Sequence, residues 1–194
     1  MQKPVNNNLR GAVALSHHFL RERVQPGDRV VDATCGNGRD TLLLARLVGP
    51  TGRVWALDVQ ESAVAATRRL LDESGCLEHA ELQVCGHERL AEFVGAPIAA
   101  AVFNLGYLPG GSREVVTVAE NTVAALQQAA DLLLPRGIIT VCIYTGHPGG
   151  SEEGSAVETW SASLAPDLFN VWRSRQVNRP DMAPYLLLIE KAGQ

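Results

Sequence analysis

The stretch Arg29-Val-Val-Asp-Ala-Thr-Cys-Gly-Asn-Gly-Arg-Asp-Thr41 predicts a buried strand, a glycine turn and the start of a helix. Gly36 and Gly38 allow the backbone to bend sharply and to lie close to a ligand. Asp40 or Thr41 is expected to cap the helix that follows. Because the first N–H groups of a helix have no partner within it, such a turn can bind a nucleotide cofactor.

A carboxylate follows the next apolar run at the distance expected for such a cofactor. Asp58 ends the run Val54–Asp58 and lies about twenty residues after Gly38. An acidic side chain at this spacing accepts hydrogen bonds from the hydroxyl groups of a ribose. The turn and the acid together indicate a nucleotide site more strongly than either does alone.

The glycine spacing distinguishes between two kinds of cofactor. A dinucleotide site needs G-x-G-x-x-G, but the register that starts at Thr34 continues with Gly36 and then Arg39. S-adenosylmethionine (SAM) has no phosphate, and its turn D/E-x-G-x-G-x-G matches Asp32–Gly38 with Thr34 in place of the first glycine. A methyltransferase turn is therefore predicted, and another nucleotide site or a structural turn are the alternatives.

The composition indicates a globular protein. The 194 residues are 46% hydrophobic and 20% charged, which suits a single domain over residues 1–194. The apolar runs have the length of strands and the N-terminus is polar, so we expect a cytoplasmic protein that does not act on a membrane. The four cysteines have no C-x-x-C spacing, which favours reduced thiols and no metal site.

A net charge of −4 argues against a broad surface for phosphate groups, but not against a local one. Two groups of basic residues are candidates for contacts with a nucleic acid, and solvated surface residues are an equally good interpretation of each group. They are Arg10, His17, His18, Arg21 and Arg23 near the N-terminus, and Arg173, Arg175 and Arg179 near the C-terminus.

Strand and helix patterns alternate five times and end in a pair of strands. Helices are predicted over 9–20, 42–48, 62–74, 115–134 and 151–164, and the later strands over 54–58, 80–85, 98–104, 138–144, 170–177 and 185–190. This order predicts a Rossmann-like α/β fold with a mostly parallel seven-stranded sheet and helices on both faces. The short loop before the last strand favours its antiparallel insertion, as in class I methyltransferases.

Polar residues follow several strands at their carboxyl ends, where open parallel sheets bind ligands. His87 is a candidate for a contact beside an adenine, or a plain loop histidine. The turn Asn104–Gly111 can present Asn104 to a substrate with Tyr107 stacked beside it, or it can be a structural turn with Tyr107 in the core. His147 follows the fifth strand in the same way.

The motifs together resemble one family. They are Asp32-Ala-Thr-Cys-Gly-Asn-Gly-Arg-Asp-Thr41, Asp58-Val-Gln-Glu-Ser-Ala-Val64, Gly86-His87, Phe103-Asn-Leu-Gly-Tyr-Leu-Pro-Gly-Gly111, Tyr144-Thr-Gly-His-Pro-Gly-Gly150 and Ile189-Glu-Lys191. The chain resembles the small bacterial MnmM (YtqB-like) methyltransferases over nearly its whole length. The resemblance implies SAM-dependent methylation of the 5-aminomethyl group of 2-thiouridine at the wobble position of tRNA. The implied partner is the anticodon region of tRNA, and a homodimer is an open expectation.

Residue roles follow from the motifs and the resemblance. The expected cofactor contacts are Asp32, Thr34, Gly36, Asn37, Gly38, Asp40, Thr41, Asp58, Gln60, Gly86, His87, Asn104 and Gly106. The expected catalytic residues are Asn104, which would aim the amine, Tyr107, which would stack on the base, and His147, which would take or disfavour the amine proton. Asn104-Leu-Gly-Tyr107 is similar to the N-P-P-Y turn of amino-group methyltransferases.

Other functions remain as alternatives at this point. An N-methyltransferase that acts on rRNA, DNA or a protein amide would keep the cofactor turn and change the acceptor. An NAD-dependent oxidoreductase is disfavoured by Arg39, and a cofactor-binding module without catalysis is the third alternative.

Overall fold

Seven strands form one sheet in the computed structural model, which describes residues 9–106, 110 and 116–193. The strands are β1 Arg29–Asp32, β2 Arg53–Asp58, β3 Ala80–Val84, β4 Ile98–Asn104, β5 Leu133–Ile143, β6 Phe169–Ser174 and β7 Tyr185–Lys191. Their order is β3-β2-β1-β4-β5-β7-β6. Only β7 runs against its neighbours β5 and β6, which confirms the predicted antiparallel last strand.

Helices cover both faces of this sheet. They are α1 Ala12–Arg23, α2 Arg39–Val48, α3 Glu61–Glu73, α4 Leu90–Phe93, α5 Ala119–Leu132 and α6 Gly150–Ala162. Residues of α1, α2 and α3 share one hydrophobic cluster with the sheet, and residues of α4, α5 and α6 share another. The predicted three-layer α/β architecture is confirmed.

Alternation along the strands assigns side chains to the two clusters. In β4, Ala100 and Val102 pack with α1, α2 and α3, whereas Ala101 and Phe103 pack with α5. Successive strand residues point to opposite faces, so a strand that is covered on both sides is a continuous apolar run. This is why the central strands could be located from apolar runs alone.

The order in which successive strands are added to the sheet reverses between β1 and β4. The segment after β1 continues through β2 to β3 on one side, and β4 and β5 lie on the other. A crevice opens at the carboxyl ends of the strands at such a point, because the connections after β1 and β4 leave in opposite directions. The glycine turn and Asn104 both end at this crevice.

Several predicted element bounds were wrong: the first helix is Ala12–Arg23 and not 9–20, and the fifth strand begins at Leu133 and not at 138. Gly38, in the left-handed region with φ 79°, is the N-cap of α2, so Asp40 and Thr41 lie inside its first turn and do not cap it. Helix α5 begins at Ala119 because Val118 is extended, and it ends at Leu132, shortly before Pro135. Pro135 disfavours helical geometry at Leu134, and Leu133 is already extended as the first residue of β5.

Helix α1 runs opposite to the parallel strands. Ala12, in its first turn, packs against Cys142 near the end of β5. Arg23, in its last turn, pairs with Glu190 and donates to the carbonyl of Arg136 near the start of β5. The predicted N-terminal basic group is therefore divided between the two ends of the sheet.

Among residues 9–106, 110 and 116–193, no helix is both long and apolar enough to cross a membrane.

Candidate active site

A cavity of about 480 Å³ lies at the carboxyl ends of the strands. Ligand sites for small molecules usually occupy roughly 300 to 1,000 Å³, so a nucleoside-sized molecule fits here. The predicted site residues that line it are Thr34, Gly36, Asp58, Gln60, Gly86, His87, Asn104, Gly106 and His147.

Two side chains from neighbouring elements hold the glycine turn in place by hydrogen bonds to its backbone. The Gly36 N–H donates to Oδ2 of Asp58 at 3.0 Å, and the Gly36 carbonyl accepts from the hydroxyl of Thr67 at 3.1 Å. At Gly38, a Cβ atom would lie 2.9 Å from Cα of Thr67 in α3. Glycine is therefore required at position 38 both for its positive φ and for the close approach of two helices.

Asp58 ends β2 at the cavity wall. Its Oδ2 accepts from Gly36 and its Oδ1 accepts from the N–H of Gln60 at 3.0 Å. A carboxylate offers about four acceptor positions, so these two bonds fix its orientation and leave capacity for ribose hydroxyls. The predicted role of Asp58 is consistent with this geometry.

Asn104, at the end of β4, is held by its backbone and by its amide. Its N–H donates to the hydroxyl of Thr34 at 2.8 Å, and its Nδ2 donates to Oδ2 of Asp40 at 2.5 Å. The other oxygen of Asp40 accepts from Nε2 of His17 in α1. Within the described part of the chain, the buried Oδ1 of Asn104 has no hydrogen-bond partner. A buried acceptor at a cavity wall is suited to a ligand that donates an N–H or O–H.

Comparison with known sequences gives the family. A chloroplastic tRNA (mnm(5)s(2)U34)-methyltransferase from Arabidopsis thaliana is 37% identical over 191 residues, which is 93% of this chain and 69% of that protein. A family described as "Putative rRNA methylase" matches residues 54–190. The chain belongs to this family of methyltransferases. A second family, the protein-L-isoaspartate(D-aspartate) O-methyltransferases, matches only residues 10–89.

Two solved structures of bacterial relatives support the assignment of this methyltransferase. A "putative rRNA-methylase" from Clostridium thermocellum is 39% identical, with a TM-score of 0.92 over 95% of this chain and 99% of the other. A "putative methyltransferase" from Streptococcus mutans, in complex with SAH, is 34% identical with a TM-score of 0.86 and the same coverage. The protein is a SAM-dependent methyltransferase. The family resemblance predicted from the motifs is confirmed, and the oxidoreductase alternative is wrong.

SAM fits the residues that the methyltransferase presents. The backbone of the glycine turn faces the cavity at Gly36, and Asp58 stands beside it as an acceptor. When bound, SAM supplies a methyl group on a sulfonium ion, which a nitrogen lone pair can displace. No group of three or more His, Cys, Asp or Glu side chains within the described ranges is arranged to hold a metal ion.

Five predicted cofactor contacts do not line the cavity. Asp32 and Thr41 are fully buried behind the glycine turn, where the Thr41 hydroxyl donates to Oδ2 of Asp32 at 2.6 Å. The cavity wall does not include Asn37, Gly38 or Asp40 either, and Asp40 is instead bound to Asn104. Asp32 is the last residue of β1, and its buried side chain supports the turn from below. Cofactor contacts of Asn37, Gly38 and Asp40 stay predictions.

Burial changes the acidity of Asp32. Desolvation, together with the negative charge of Asp40, raises the pKa of Asp32 to about 7, although the bonds from Thr41 and Thr34 act in the opposite direction. The charged form of a carboxylate is disfavoured where water is excluded and another anion is near. The carboxyl group of Asp32 therefore titrates near neutral pH in the folded protein.

His87 lies at the cavity wall in the short 3-10 helix His87–Arg89. Its Nε2 is 3.3 Å from the hydroxyl of Thr122, and its ring meets Phe103 edge to face. Burial lowers the pKa of His87, which favours the neutral ring. A contact with the adenine of SAM stays a prediction, and a neutral imidazole suits it.

His147 follows β5 and packs against the glycine-rich backbone. Its Nδ1 donates to the carbonyl of Pro148 at 3.0 Å, so the basic nitrogen of a neutral ring is Nε2. A Cβ atom on Gly106 would lie 3.3 Å from this Nε2, and one on Gly150 would lie 2.8 Å from it. The role of His147 as a base stays a prediction. Tyr107, the third predicted catalytic residue, lies outside the described residues.

Several site residues were not predicted. Tyr144 lines the cavity, and its burial raises the pKa of its phenol to about 12, so it remains protonated at neutral pH. It follows a buried strand, which is the signal that found Asn104 and could have found Tyr144. Glu153 contributes through tertiary contacts that no local sequence pattern indicates. His17 was expected only as a member of the N-terminal basic group, and its bond to Asp40 was not predicted.

Glu153 is a buried carboxylate that connects two sides of the cavity. Its Oε1 accepts from the hydroxyl of Thr122 and its Oε2 from that of Thr117, both at 2.6 Å. The hydroxyl of Thr117 in turn accepts from the N–H of Gly106 at 2.8 Å. Glu153 therefore fixes the backbone that follows Asn104.

Proposed function

We propose that this methyltransferase acts on the amino group of 5-aminomethyl-2-thiouridine at the wobble position of tRNA and forms 5-methylaminomethyl-2-thiouridine. The name of the Arabidopsis relative supports a substrate of this kind. The observation that carries the proposal is the buried Oδ1 of Asn104 at the cavity wall.

The buried hydrogen-bond acceptor Oδ1 of Asn104 suits an amine substrate in particular. A primary amine has two N–H bonds besides its lone pair, so Asn104 can bind one N–H while the lone pair is directed at the methyl carbon. In-line displacement forms the N–C bond as the C–S bond breaks, and no stronger nucleophile is needed. Most of the acceleration comes from holding the two atoms about 3 to 3.5 Å apart and aligned.

An alkyl amine is mostly protonated near neutral pH, so one proton must leave before the transfer. Nε2 of His147 faces Gly106, which lies two residues after Asn104, and both His147 and Asn104 line the cavity. We assign the proton to this nitrogen. The cavity wall here is also apolar at Leu105 and Val116, which disfavours an ammonium ion.

The anticodon region of tRNA would lie across the carboxyl edge of the sheet. Arg175 and Arg179 follow the end of β6 at this edge, and Arg10 precedes the first turn of α1 there. The guanidinium of Arg175 lies 4.8 Å from the ring centre of Tyr185. Arginines at one edge of a sheet can contact phosphates on either side of an extruded base.

Two further parts of the proposal concern where and how the protein acts. We place its action in the cytoplasm and propose that two copies associate. Strand β6 forms one edge of the sheet, and its Trp172 is 64% exposed, so this strand suits contact with a second copy. Light scattering that gives the mass of one chain at micromolar concentration would remove the dimer from the proposal.

The test is methylation of tRNA that carries 5-aminomethyl-2-thiouridine, followed by mass spectrometry of its nucleosides. Wild-type protein and SAM should add one methyl group to that nucleoside. Asn104→Ala should reduce the single-turnover rate by about 100-fold with SAM affinity unchanged, because orientation of the amine is lost. Asp58→Ala should instead weaken SAM binding at least about tenfold in calorimetry, since a charge-assisted bond is worth roughly 1.5 to 3 kcal/mol.

Other outcomes would change the proposal. A methyl group found on rRNA, with none on the tRNA, would reject the substrate and keep the methyltransferase. A normal rate for Asn104→Ala would remove the amide from the reaction.

A further inference from the structure

We infer that Asp40 and His17 are positioning residues. They fix the amide of Asn104 so that its Oδ1 faces the amine that accepts the methyl group. The inference rests on the proposed function, because it concerns the amine that Asn104 would bind. Asp40 was expected to contact the cofactor, but the structure places it outside the cavity wall and against Asn104.

The direction of the amide follows from the chemistry of Asp40. An Asn side chain has a donor and an acceptor at nearly the same distance from its Cβ, and rotation by half a turn exchanges them. A carboxylate only accepts, so the group that meets Oδ2 of Asp40 at 2.5 Å must be Nδ2. The acceptor Oδ1 is then directed away from Asp40, and it is buried without a partner among the described residues.

His17 in turn holds Asp40. Its Nε2 donates to Oδ1 of Asp40, and its side chain is 22% exposed, whereas that of Asp40 is 13% exposed. With one oxygen bound by His17 and the other by Asn104, the carboxylate cannot rotate freely. Helix α1 itself is fixed to the sheet by the Ser16 hydroxyl, which donates to Thr140 at 2.9 Å.

The three residues come from three elements that meet only in the folded chain. His17 belongs to α1, Asp40 to the first turn of α2, and Asn104 to the end of β4. The amide is therefore set before substrate arrives, which spares the reaction the free energy of ordering it.

The decisive experiment is a double-mutant cycle on the single-turnover rate with tRNA. Asp40→Ala removes the acceptor that orients the amide and should lower the rate by about 30- to 100-fold, with little change in SAM affinity. Asp40→Asn can still accept from Asn104 in one of its two orientations, so its loss should be smaller. If Asp40 acts through Asn104, the double variant Asp40→Ala/Asn104→Ala should be no slower than Asn104→Ala alone.

Variants of α1 supply the matched controls. His17→Gln retains an N–H donor and should keep most of the rate, whereas His17→Ala should lose several-fold. Glu22 is an exposed residue of the same helix that belongs to neither the site nor the basic group, and Glu22→Gln should leave the rate within twofold. Loss from His17→Gln equal to that from His17→Ala would exclude the hydrogen bond as the cause.

A second measurement does not depend on the substrate. In 15N-labelled protein, the side-chain amide signal of Asn104, identified by its absence in Asn104→Ala, should exchange slowly with solvent in wild type and rapidly in Asp40→Ala. If wild type shows this protection but methylates no tRNA, the proposed substrate fails while the positioning stands. The inference would be overturned if the rate losses of the two single variants multiplied in the double variant. It would also be overturned if Asp40→Ala lowered SAM affinity as much as the rate, because Asp40 would then be a cofactor-binding residue.

Discussion

Asp32 shows how a motif residue can act without touching the ligand. It is the first residue of the cofactor-turn signature in the sequence, yet its side chain accepts from Thr41 and Thr34 beneath that turn. A replacement at this position should therefore act first on folding and only through folding on cofactor binding.

The raised pKa of Asp32 predicts a particular dependence of stability on pH. Because the folded-state pKa is about 7 and the ordinary value is 3.8, the folded protein binds a proton there more tightly than the unfolded chain does. This contribution to stability is complete below the unfolded value and is lost as pH rises through about 7. Relative to Asp32→Asn, wild type should thus lose on the order of 3 kcal/mol in free energy of unfolding between pH 4 and pH 8.

Urea unfolding of both proteins across this pH range measures the difference. The exposed Asp72→Asn in α3 is the control and should follow wild type at every pH. Parallel curves for wild type and Asp32→Asn would show that Asp32 is charged throughout.

At the scale of elements, the contact between α2 and α3 depends on the glycine that begins α2. Gly38→Ala would add a Cβ 2.9 Å from the backbone of Thr67 at a φ of 79°, so the left-handed penalty and the overlap both act. We expect a loss of about 2 to 4 kcal/mol in free energy of unfolding. Gly75, just after α3, also has a positive φ but has open space at its Cβ, so Gly75→Ala should lose only about 1 to 2 kcal/mol.

Chemical denaturation of the two alanine variants decides this point. Equal losses would mean that the helices separate to accept the methyl group and that only φ matters. The variant at position 38 should also show weakened SAM binding, because Gly36 and its bond to Asp58 lie in the same turn.

At the scale of the whole molecule, the basic residues are distributed between two ends of the sheet. Arg179→Gln and Arg10→Gln, at the carboxyl edge, should weaken tRNA binding and reduce the slope of log affinity against log salt by about one each, if each contacts a phosphate. Arg21 lies in the last turn of α1 at the opposite end, and Arg21→Gln is the control. Filter binding at several salt concentrations gives both quantities, and an effect confined to Arg21→Gln would move the RNA to the other end.

Much of this architecture follows from local sequence signals. Strand β4 was predicted at its observed bounds, because Ile98–Asn104 is apolar on both faces and ends in a polar residue. The position of Asn104 at the cavity followed from the rule that parallel strands present their carboxyl ends to ligands.

The remaining features depend on contacts between distant parts of the chain. His17 and Asp40 are 23 positions apart, and nothing in either segment indicates that α1 crosses the start of α2. The same holds for Glu153 in α6, which accepts from Thr122 in α5 and from Thr117 just before that helix. Burial of Asp32 was missed because a carboxylate at the end of a strand usually faces solvent or a ligand.

The reversal of the sheet between β1 and β4 divides labour along the chain. Asp58, Gly36 and His87, all before β4, line the part of the cavity expected to hold the methyl donor, whereas Asn104 and His147 come after β4 begins. A lineage could therefore acquire a new methyl acceptor by altering only the segments that follow β4 and β5. The residues that hold the methyl donor would remain unchanged. The hydrogen bond from Asn104 to Asp40 joins the two groups of residues and would have to be kept.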